Sequence, residues 1–523
     1  MLRIAFRSTK RGRCRQSLTI LRGLAVAFPN ILVIRIWLAR FELLFNNEIE
    51  AMEAIRSDVV DKLDTFERHC RRIGLLHLRL EDAGKAMSYL RLAVQLRPTS
   101  VAAWRALADA YLMENDGKNV DEAIKCFRHI SSVAGTEHGR FHALCRAAEA
   151  LSNAGRDDAE GVWQELCELD PQGGWQYFGL VDCNKSINAS HPVAEKVRSI
   201  LQEPEVDDFS RKNLHFAMGL AYDRSDNPAA SFAHYQLANS YRRAEHPLVT
   251  SDGLKAEVAA RCDVFTKERI DDLSSAGCQD DFLILIVGMP RSGTTLLHQI
   301  LGMCDGTYSA GERTDFAELR NMLPEIINSK LRYPRCISKL TAAHVRKLSL
   351  TLKSRLDRIS HGSRHMIIKT PDNCVEIGFI KILFPNSRII NCRRDVVDTC
   401  FSCFTQNFGS VSFASDLVLL RAYCDSYLQI MRHWRSIFVE NSIVDVFYEQ
   451  LVDDPEVVVR NLCILMNVKF DVRCLDYYKS NRVVPTMSRW QVRQPVYKTS
   501  VKRSDRYREF LGGFVDVESI RDA

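Results

Sequence analysis

Residues 288–295, with the sequence GMPRSGTT, combine the residue types that bind an anion. They follow the apolar run from Phe282 to Val287, which predicts a buried strand, and they lead into a predicted helix. A turn between a strand and a helix N-terminus directs several backbone N–H groups at one point, where the helix dipole also favours negative charge. Arg291 adds a permanent cation, and one serine and two threonines add hydroxyl groups. The stretch therefore predicts a binding loop for a phosphate or a sulfate group.

This loop lacks the lysine that nucleotide triphosphatases carry. In their G-x-x-x-x-G-K-[ST] loop, the lysine reaches the β and γ phosphates and the hydroxyl residue holds magnesium. The present sequence keeps the eight-residue frame but has Thr294 at the lysine position. A triphosphatase is therefore disfavoured, while a donor with fewer phosphates still fits the loop.

The segment P-R-S-G-T-T-L after a strand resembles the 5′-phosphosulfate loop of sulfotransferases that use 3′-phosphoadenosine 5′-phosphosulfate (PAPS). Those enzymes carry a second signature, in which a strand is followed by an arginine and, eight residues later, by a serine that binds the 3′-phosphate of the donor. Arg394 and Ser402 have this spacing. The resemblance covers most of residues 282–510 and is nearest to protein-tyrosine sulfotransferases and their tetratricopeptide-fused bacterial relatives.

The resemblance also implies three catalytic residues. Glu312, in Gly-Glu, matches the general base of the tyrosine-modifying members, and Lys369, in Ile-Ile-Lys-Thr-Pro, matches their catalytic lysine. Sulfuryl transfer builds charge on the leaving phosphate, so Arg291 and Lys369 are expected to stabilise it, without a metal. Glu312 is expected to take the proton of the acceptor hydroxyl. Taken alone, Glu312 could instead be a helix N-cap partner, and Lys369 could be an exposed strand end.

Donor binding is implied for residues from several parts of the chain. The segment Tyr-Glu-Gln-Leu from Tyr448 matches a motif that contacts the donor, and 491–496 resembles a C-terminal segment that closes over it. Alignment of that segment indicates that Ser488 and Arg503 also contact the donor. The implied donor-binding residues are Arg291, Ser292, Gly293, Thr294, Thr295, Arg394, Ser402, Tyr448, Ser488 and Arg503.

The sequence also departs from the family pattern. Ser504-Asp505 stands where bacterial relatives often have Trp-Arg, and Gln406 stands near a second 3′-phosphate arginine of the tyrosine enzymes. The acceptor is therefore left open between a protein tyrosine, a carbohydrate and a small hydroxylated metabolite.

Positive charge is concentrated near the C-terminus. Between Lys479 and Arg508 there are nine Lys and Arg residues and one acidic residue, Asp505, although the net charge of the chain is only +6. The local excess predicts an anion site or an acidic partner, with a solvated basic tail as the alternative. The mild total charge does not favour a nucleic-acid partner.

From residue 51 to residue 243 the sequence predicts successive helices, because small and aromatic residues recur at helical spacing. The steps from Ala86 to Ala123 and from Trp104 to Phe141 are each 37 residues. This period is close to the roughly 34 residues of tetratricopeptide repeats. A helical domain without true repeats is the alternative, and either form predicts a scaffold or a surface for a protein partner.

Beyond Asp281 short apolar strands alternate with helices, which predicts a largely parallel sheet. The clearest predicted strands are Phe282–Val287, His365–Lys369, Arg388–Cys392 and Ile443–Phe447. We therefore predict a multidomain protein, with an N-terminal all-α tetratricopeptide-like repeat domain and a C-terminal α/β sulfotransferase domain built on a P-loop-like parallel sheet. The predicted segments are a helical segment 1–50, a repeat domain 51–250 and a sulfotransferase domain 275–523, with the boundary near residues 245–280.

The N-terminus and the cysteines bear on location. The apolar stretch from Leu18 to Leu38 is interrupted by Arg22 and Arg35, so a helical start without a membrane anchor is favoured over a signal-anchor. Seventeen cysteines are scattered without the spacing of a disulfide scaffold or a zinc site, which predicts a reducing, cytoplasmic location. The one C-x-x-C motif, from Cys400, is expected to be a pair of buried helix cysteines.

Three function classes follow. The leading prediction is a PAPS-dependent sulfotransferase that modifies a protein or a glycan, with a protein partner on the repeats. A nucleotide kinase or triphosphatase with a divergent loop is disfavoured by Thr294 and by the second arginine–serine signature. A noncatalytic repeat adaptor would fit the loss of Arg291 or Lys369, but both are present. Oligomeric state stays open.

Overall fold

The computed structural model describes residues 14–29, 31, 34–35, 37–38, 42, 67–114, 117–245, 249–409, 411–439, 442–480 and 482–511. The chain forms two compact units, and we describe each by itself. The first contains the residues up to Leu169 together with 481–484, and the second contains residues 170–480 and the chain from Pro485 onward. Most of the predicted segment 1–50, the start of the repeat domain and the last twelve residues lie outside the described residues.

The first unit is helical. Its helices are α1 (Cys14–Ala27), α2 (Glu67–Arg79), α3 (Ala83–Leu96), α4 (Val101–Met113), α5 (Gly117–Val133), α6 (Glu137–Ala154) and α7 (Ala159–Leu169). Short turns join α2 to α3, α4 to α5 and α6 to α7, and the members of each pair pack on each other. Ala86, Ala103 and Ala123 are fully buried, so small side chains let the helices approach closely. The predicted all-α architecture of paired helices is confirmed for the described part of this unit.

The second unit begins with more helices of the same kind. They are α8 (Gly174–Cys183), α9 (Pro192–Gln202), α10 (Asp208–Arg224), α11 (Pro228–Glu245), α12 (Ser251–Val264) and α13 (Lys267–Ser274). The α10/α11 pair depends on Gly219, because a Cβ atom there would lie 2.5 Å from the ring of Tyr235. Tyr235 is fully buried, so the glycine leaves the space that the ring fills.

A five-stranded sheet follows. Its strands are β1 (Leu283–Gly288), β2 (Thr307–Ser309), β3 (His365–Lys369), β4 (Arg388–Arg393) and β5 (Ile443–Phe447), and their order is β2-β3-β1-β4-β5. All neighbouring strands are parallel. The four predicted strands and the parallel sheet are confirmed, and the short edge strand β2 was not predicted. Because β1 is flanked on both sides, it is buried along its whole length.

Helices connect these strands. They are α14 (Thr294–Leu301), α15 (Asp315–Ile326), α16 (Ala342–Ile359), α17 (Ile377–Leu383), α18 (Val396–Phe404), α19 (Leu417–Ile437), α20 (Tyr448–Asp453), α21 (Pro455–Leu465) and α22 (Arg508–Leu511). Short 3₁₀ helices are Arg335–Lys339, Pro371–Glu376, Ser412–Ser415, Val472–Lys479, Gln491–Arg493 and Arg503–Tyr507. The carboxyl ends of parallel strands face one edge of the sheet, which is where α/β proteins place their binding sites.

The helices from α8 to α11 belong to the same compact unit as the sheet. In α11, Arg242 donates from Nη1 to the carbonyl oxygen of Gln406 at 2.8 Å and from Nη2 to that of Ala414. Asn239 donates to the carbonyl oxygen of Phe404 at 2.9 Å. These side chains satisfy backbone groups next to α18, whereas the sequence places the domain boundary near residues 245–280. The predicted domain limits stay a prediction.

Two sequence predictions concern location. Among the described residues, no helix combines the length and the apolar composition needed to cross a bilayer. None of the sixteen cysteines whose side chains the structure describes forms a disulfide. Cys400 and Cys403 are buried in α18, as predicted, and burial raises the pKa of the Cys403 thiol to about 12. That thiol donates to the carbonyl oxygen of Pro290 and thereby supports the loop after β1.

Candidate active site

The predicted anion loop connects β1 to α14, and its turn depends on Gly293. This glycine has a φ of +98°, which L side chains rarely adopt. A Cβ atom on it would lie 2.6 Å from Cδ2 of Tyr448, because the tyrosine ring packs directly against the loop. Arg291 also has a positive φ, of +70°. Backbone in this region persists where the surroundings hold it, which is typical of binding sites.

Arg291 is a cation whose described partners are hydroxyl groups. Its Nε donates to Oγ of Ser402 at 3.0 Å, and its Nη1 donates to Oγ of Ser488 at 2.6 Å. Burial lowers the pKa of the Arg291 guanidinium, and the positive charge of Arg394 also lowers it. In the described part of the chain, no carboxylate forms an ion pair with Arg291. A partly buried charge is stabilised by a negative partner, so this arrangement suits an anionic ligand.

Arg394 lies beside the same loop. Its guanidinium carbon is 4.9 Å from the centre of the Tyr448 ring, and its Nη1 donates to the carbonyl oxygen of Arg291 at 3.1 Å. Asp398, one helical turn later, lies 3.5 Å from Arg394 and is almost fully buried. The Nε atom of Arg394 is buried and has no hydrogen-bond partner. A second basic side chain therefore has donor capacity next to Arg291.

These residues border a cavity that is partly open to solvent, with about 560 Å³ of empty space when its opening is included. Its lining residues are Arg291, Gly293, Thr294, Thr295, Leu296, Arg394, Tyr448, Val452, Tyr477, Ser488, Gln491, Val492, Val496, Tyr497 and Ser500. Two arginines and several hydroxyl groups share the cavity with tyrosine rings and valines. This combination fits a ligand that carries both anionic groups and an aromatic ring, as a nucleotide does.

Lys369 and Glu312 form an ion pair at the end of β3. Lys369 is 1% exposed, whereas the side chain of Glu312 is 48% exposed. Burial lowers the pKa of the Lys369 ammonium group, and the negative charge of Glu312 opposes this effect. The structure therefore excludes an exposed strand end for Lys369. Glu312 contacts the lysine, while Thr314, next to α15, donates its hydroxyl hydrogen to Glu318 at 2.6 Å.

The backbone around Glu312 is held by β3 and by His298. The amide of Lys369 donates to the carbonyl oxygen of Gly311 at 2.9 Å. The amide of Gly311 donates to Nε2 of His298 at 3.3 Å, and the same nitrogen lies 2.8 Å from Oγ of Ser309. Because Nε2 accepts from an amide, this ring nitrogen must be unprotonated. A neutral His298 thus positions the segment that carries the glutamate.

Another carboxylate lies near this pair and was not predicted. Tyr423 donates its hydroxyl hydrogen to Oδ1 of Asp372 at 3.0 Å, and its ring stacks on Phe413 with centroids 3.6 Å apart. Asp372 is close enough to Glu312 for the two negative charges to repel. Its position three residues after Lys369 is the sequence signal that could have indicated it.

The structure brings most of the predicted site residues together. Arg291, Arg394, Tyr448, Ser488 and the loop residues Gly293, Thr294 and Thr295 line the cavity. Ser402 contacts Arg291 directly. Lys369 and Glu312 form a pair of their own.

Two predicted residues are placed differently. The hydroxyl of Ser292 donates to the carbonyl oxygen of Met289 at 2.7 Å, which is a contact within the loop. Arg503 donates to Oδ2 of Asp223 at 2.6 Å, and Asp223 and Tyr235 raise the pKa of its guanidinium although burial lowers it. Neither residue is among the described residues that line the cavity. Their roles as donor contacts stay predictions.

Residues 488–507, here called the C-terminal cover, contribute six lining residues, of which Tyr497 and Ser500 were not predicted. Arg394 donates from Nη2 to the carbonyl oxygen of Ser500 at 2.5 Å. Asp398 accepts from the amides of Lys502 and Ser504 at 2.6 and 2.9 Å. The spacing of Arg394 and Asp398, four residues apart in a helix-forming segment, could have indicated the aspartate.

Part of the second unit is similar to a known protein family. Residues 284–471 match the model of the sulfotransferase family. This range contains β1 except for Leu283, the strands β2 to β5, the anion loop and the Lys369–Glu312 pair.

Two curated relatives and one solved structure are similar to this chain. An uncharacterized protein of Aquifex aeolicus (strain VF5) is 26% identical over 376 residues, which cover 69% of this chain and 48% of the relative. Protein-tyrosine sulfotransferase A of Caenorhabditis elegans is 23% identical over 244 residues, which cover 45% of this chain and 64% of the relative. The chain thus spans about half to just under two thirds of the length of these relatives.

The solved structure is the sulfotransferase domain of an olefin synthase from Synechococcus PCC 7002. It is 20% identical, with a TM-score of 0.33, and the match covers 43% of this chain and 88% of that domain. The sheet, the anion loop and the family match agree with one another. Residues 284–471 are thus similar to the sulfotransferase family.

Proposed function

We propose that this protein transfers a sulfuryl group from PAPS to a hydroxyl acceptor. The observation that carries the proposal is Arg291, a cation with hydroxyl partners and no described carboxylate partner, at the wall of a cavity next to the anion loop. A permanent cation with a fork of donors suits a sulfate or phosphate group. The family match to residues 284–471 supports the same chemistry.

On the donor side, two basic groups support a nucleotide with phosphates at two positions. Arg291 and the N-terminus of α14 would hold the phosphosulfate, and Arg394 with Ser402 would hold the 3′-phosphate. The unpartnered Nε atom of Arg394 has the capacity for such a contact. Tyr448, Tyr477 and the valines offer flat, apolar surface for the base.

On the acceptor side, Glu312 and Lys369 would perform the chemistry. Half-exposed Glu312 can reach an incoming hydroxyl group and take its proton while the new S–O bond forms. Lys369, held as a buried cation by that carboxylate, would stabilise the charge that develops as the S–O bond to the donor phosphate breaks. PAPS, when bound, supplies the sulfuryl group and leaves as 3′-phosphoadenosine 5′-phosphate.

The acceptor would be a protein tyrosine or a glycan, presented to the domain by the helical hairpins. The support is architectural, because stacked helical hairpins form extended surfaces for polypeptides. The scattered spacing of the cysteines, and the free thiols of those that the structure describes, support a reducing compartment such as the cytoplasm.

Labelled transfer tests this proposal. Purified protein would be incubated with sulfur-labelled PAPS and a cell lysate, and both the bound donor and the label on protein or glycan would be measured. We expect Arg291→Ala to lose donor binding and Lys369→Ala to lose transfer while it still binds the donor. Transfer abolished by both substitutions would establish the enzyme class.

The matched control is Arg460→Ala, which removes an arginine from an exposed ion pair with Glu456 on α21. Such surface pairs contribute about 0–1 kcal/mol to folding, so this variant should bind and transfer like the wild type. A folded wild-type protein that does not bind PAPS would contradict the proposal.

A further inference from the structure

Two aspartates from the preceding helices accept hydrogen bonds from the C-terminal cover, one near each end of it. The first is Asp182, on α8. Arg489 donates from Nη2 to Oδ2 of Asp182 at 2.5 Å, and the indole of Trp490 donates to the same oxygen at 3.1 Å. The side chains of Arg489 and Asp182 are 15% and 18% exposed. Ser488, the residue just before this contact, is the one that accepts from Arg291.

The second aspartate that binds the cover is Asp223, on α10. Arg503 donates from Nη2 to Oδ2 at 2.6 Å, and the hydroxyl of Tyr507 donates to Oδ1 at 2.5 Å. Arg506 lies 3.4 Å from the same carboxylate. Tyr507 is fully buried and its hydroxyl is also 3.1 Å from Oγ of Ser231. The cover residues that line the cavity all lie before this point, from Ser488 to Ser500.

Both aspartates occupy helix positions that ordinarily disfavour a negative charge. Asp182 precedes the last residue of α8, and Asp223 precedes the last residue of α10. The C-terminus of a helix carries a partial negative charge, so an aspartate there is destabilising unless cations compensate it. Here the cover supplies Arg489 to Asp182 and Arg503 and Arg506 to Asp223. Arg224 of α10 adds a positive charge near both carboxylates.

The two helix ends are joined to each other. Arg224, the last residue of α10, donates from Nη1 to the carbonyl oxygens of Val181, Asn184 and Ile187 at 2.8–3.0 Å. These carbonyls lie at and just after the end of α8. A half-buried arginine thus links the ends of the two helices that carry Asp182 and Asp223.

We propose that Asp182 and Asp223 are positioning residues for donor binding: they hold the C-terminal cover so that Ser488, Tyr497 and Ser500 close the cavity beside Arg291. The helices α8 and α10 would then be part of the donor site rather than only a scaffold. This inference rests on the proposed function for the identity of the ligand. The contacts that carry it lie within one compact unit.

The test combines substitution with binding of 3′-phosphoadenosine 5′-phosphate. We expect Asp182→Asn with Asp223→Asn to raise the Kd by about tenfold or more, because hydrogen bonds to charged groups are lost at both ends of the cover. The KM for PAPS should rise in parallel, while kcat at saturating PAPS stays within about twofold. A general loss of folded protein would not raise the KM for PAPS and leave kcat nearly unchanged.

Hydrogen exchange locates the effect. Amides of residues 488–507 should exchange faster in the double variant, while amides of β1 keep the wild-type rate. Asp226→Asn is the matched control, because Asp226 contacts Arg506 at 2.6 Å but is 86% exposed. It should leave both the exchange rates and the Kd unchanged.

A double-mutant cycle provides an internal check. If Asp182 acts through Arg489, adding Arg489→Gln to Asp182→Asn should raise the Kd no further than either change alone. Equal Kd values for the wild type and for Asp182→Asn/Asp223→Asn would overturn the inference and leave the proposed function standing. A wild type that binds no nucleotide would refute the proposed function instead, and faster exchange in 488–507 would then still show that the aspartates hold the cover.

Discussion

The anion loop and the C-terminal cover meet at one cavity, yet they are held in different ways. In the loop, a buried strand, a left-handed glycine and a helix N-terminus determine the shape, and all three lie within residues 283–301. The cover has no strand and only short 3₁₀ turns, and its position depends on side chains from Asp182, Asp223 and Asp398. The loop is thus a local structure, whereas the cover is a long-range one.

Two arginines show what this difference means. Arg291 in the loop has hydroxyl partners, and Arg503 in the cover is paired with Asp223. Burial lowers the pKa of Arg291, whereas the carboxylate outweighs burial at Arg503 and raises the pKa there. A cation with no described carboxylate partner is available to a ligand, and a compensated one stabilises the fold. The same residue type therefore has two roles, decided by its partners.

The strongest test of this comparison sets Arg291→Ala against Arg503→Gln. We expect the first to lower the affinity for 3′-phosphoadenosine 5′-phosphate about a thousandfold, because each charged hydrogen bond contributes about 1.5–3 kcal/mol. The second should lower it about tenfold or less, since Arg506 and Tyr507 still contact Asp223. Calorimetric titration measures both. Equal losses would show that Arg503 contacts the donor itself, as the sequence predicts.

Glu312 lies in neither the loop nor the cover, and its substitution is expected to lower the rate of transfer without weakening nucleotide binding. Glu312→Gln removes the proposed proton acceptor, so kcat should fall by about 100-fold or more. The Kd for 3′-phosphoadenosine 5′-phosphate should change by about twofold at most, because Glu312 is not among the described residues that line the cavity. Transfer of label at saturating donor measures kcat. An unchanged kcat would remove Glu312 from the reaction.

Two glycines separate backbone strain from contact with Tyr448. Gly293→Ala meets both a positive φ and the tyrosine ring at 2.6 Å, whereas Gly311→Ala meets a φ of +69° and open space. We expect the first to destabilise the protein by about 2 kcal/mol or more and the second by about 1 kcal/mol. Denaturant unfolding measures the difference. Equal effects would mean that packing of Tyr448 does not define the loop.

The smallest expected effect is the pH dependence of the cover. Burial raises the pKa of Asp223, but Arg503 and Tyr507 outweigh it and lower the pKa below its ordinary value. The contribution of this carboxylate to stability is therefore present above the unfolded-state pKa of about 3.9 and is lost as the pH falls through the lower folded-state value. The protection of amides 488–507, measured as their exchange rate relative to the intrinsic rate at each pH, should fall below about pH 4 in the wild type. In Asp223→Asn this acid-induced loss of protection should be smaller.

Much of the fold could be predicted because it depends on local pattern. The apolar runs at 283–288, 365–369, 388–393 and 443–447 are strands, and their alternation with helices implies a parallel sheet. The edge strand Thr307–Ser309 has three residues, which is too short for a period to be visible. The compact unit that begins at Asp170 was not predicted either, since α8 to α11 share the sequence pattern of the helices before them.

The basic segment 479–508 shows that the partners of charged residues are also difficult to predict from local sequence. Its sequence predicts an anion site or a solvated tail. Six of its nine basic residues instead pair with carboxylates of the chain itself: Lys479, Arg489, Lys498, Arg503, Arg506 and Arg508. The carboxylates that pair with Arg489 and Arg503 are some 300 residues away, at Asp182 and Asp223. Charge counted along a short window cannot include them.

The sequence by itself determined the strand, turn and helix of the anion loop and the four main strands, because each depends on residue types at short spacing. The family resemblance indicated Arg394, Ser402, Glu312 and Lys369, and their roles stay predictions. The tertiary structure decided which arginine has no described carboxylate partner, which aspartates hold the cover and where the compact units divide. The physical reason is that hydrogen-bond geometry within a turn is local, whereas compensation of a buried charge depends on whichever group the fold brings near it.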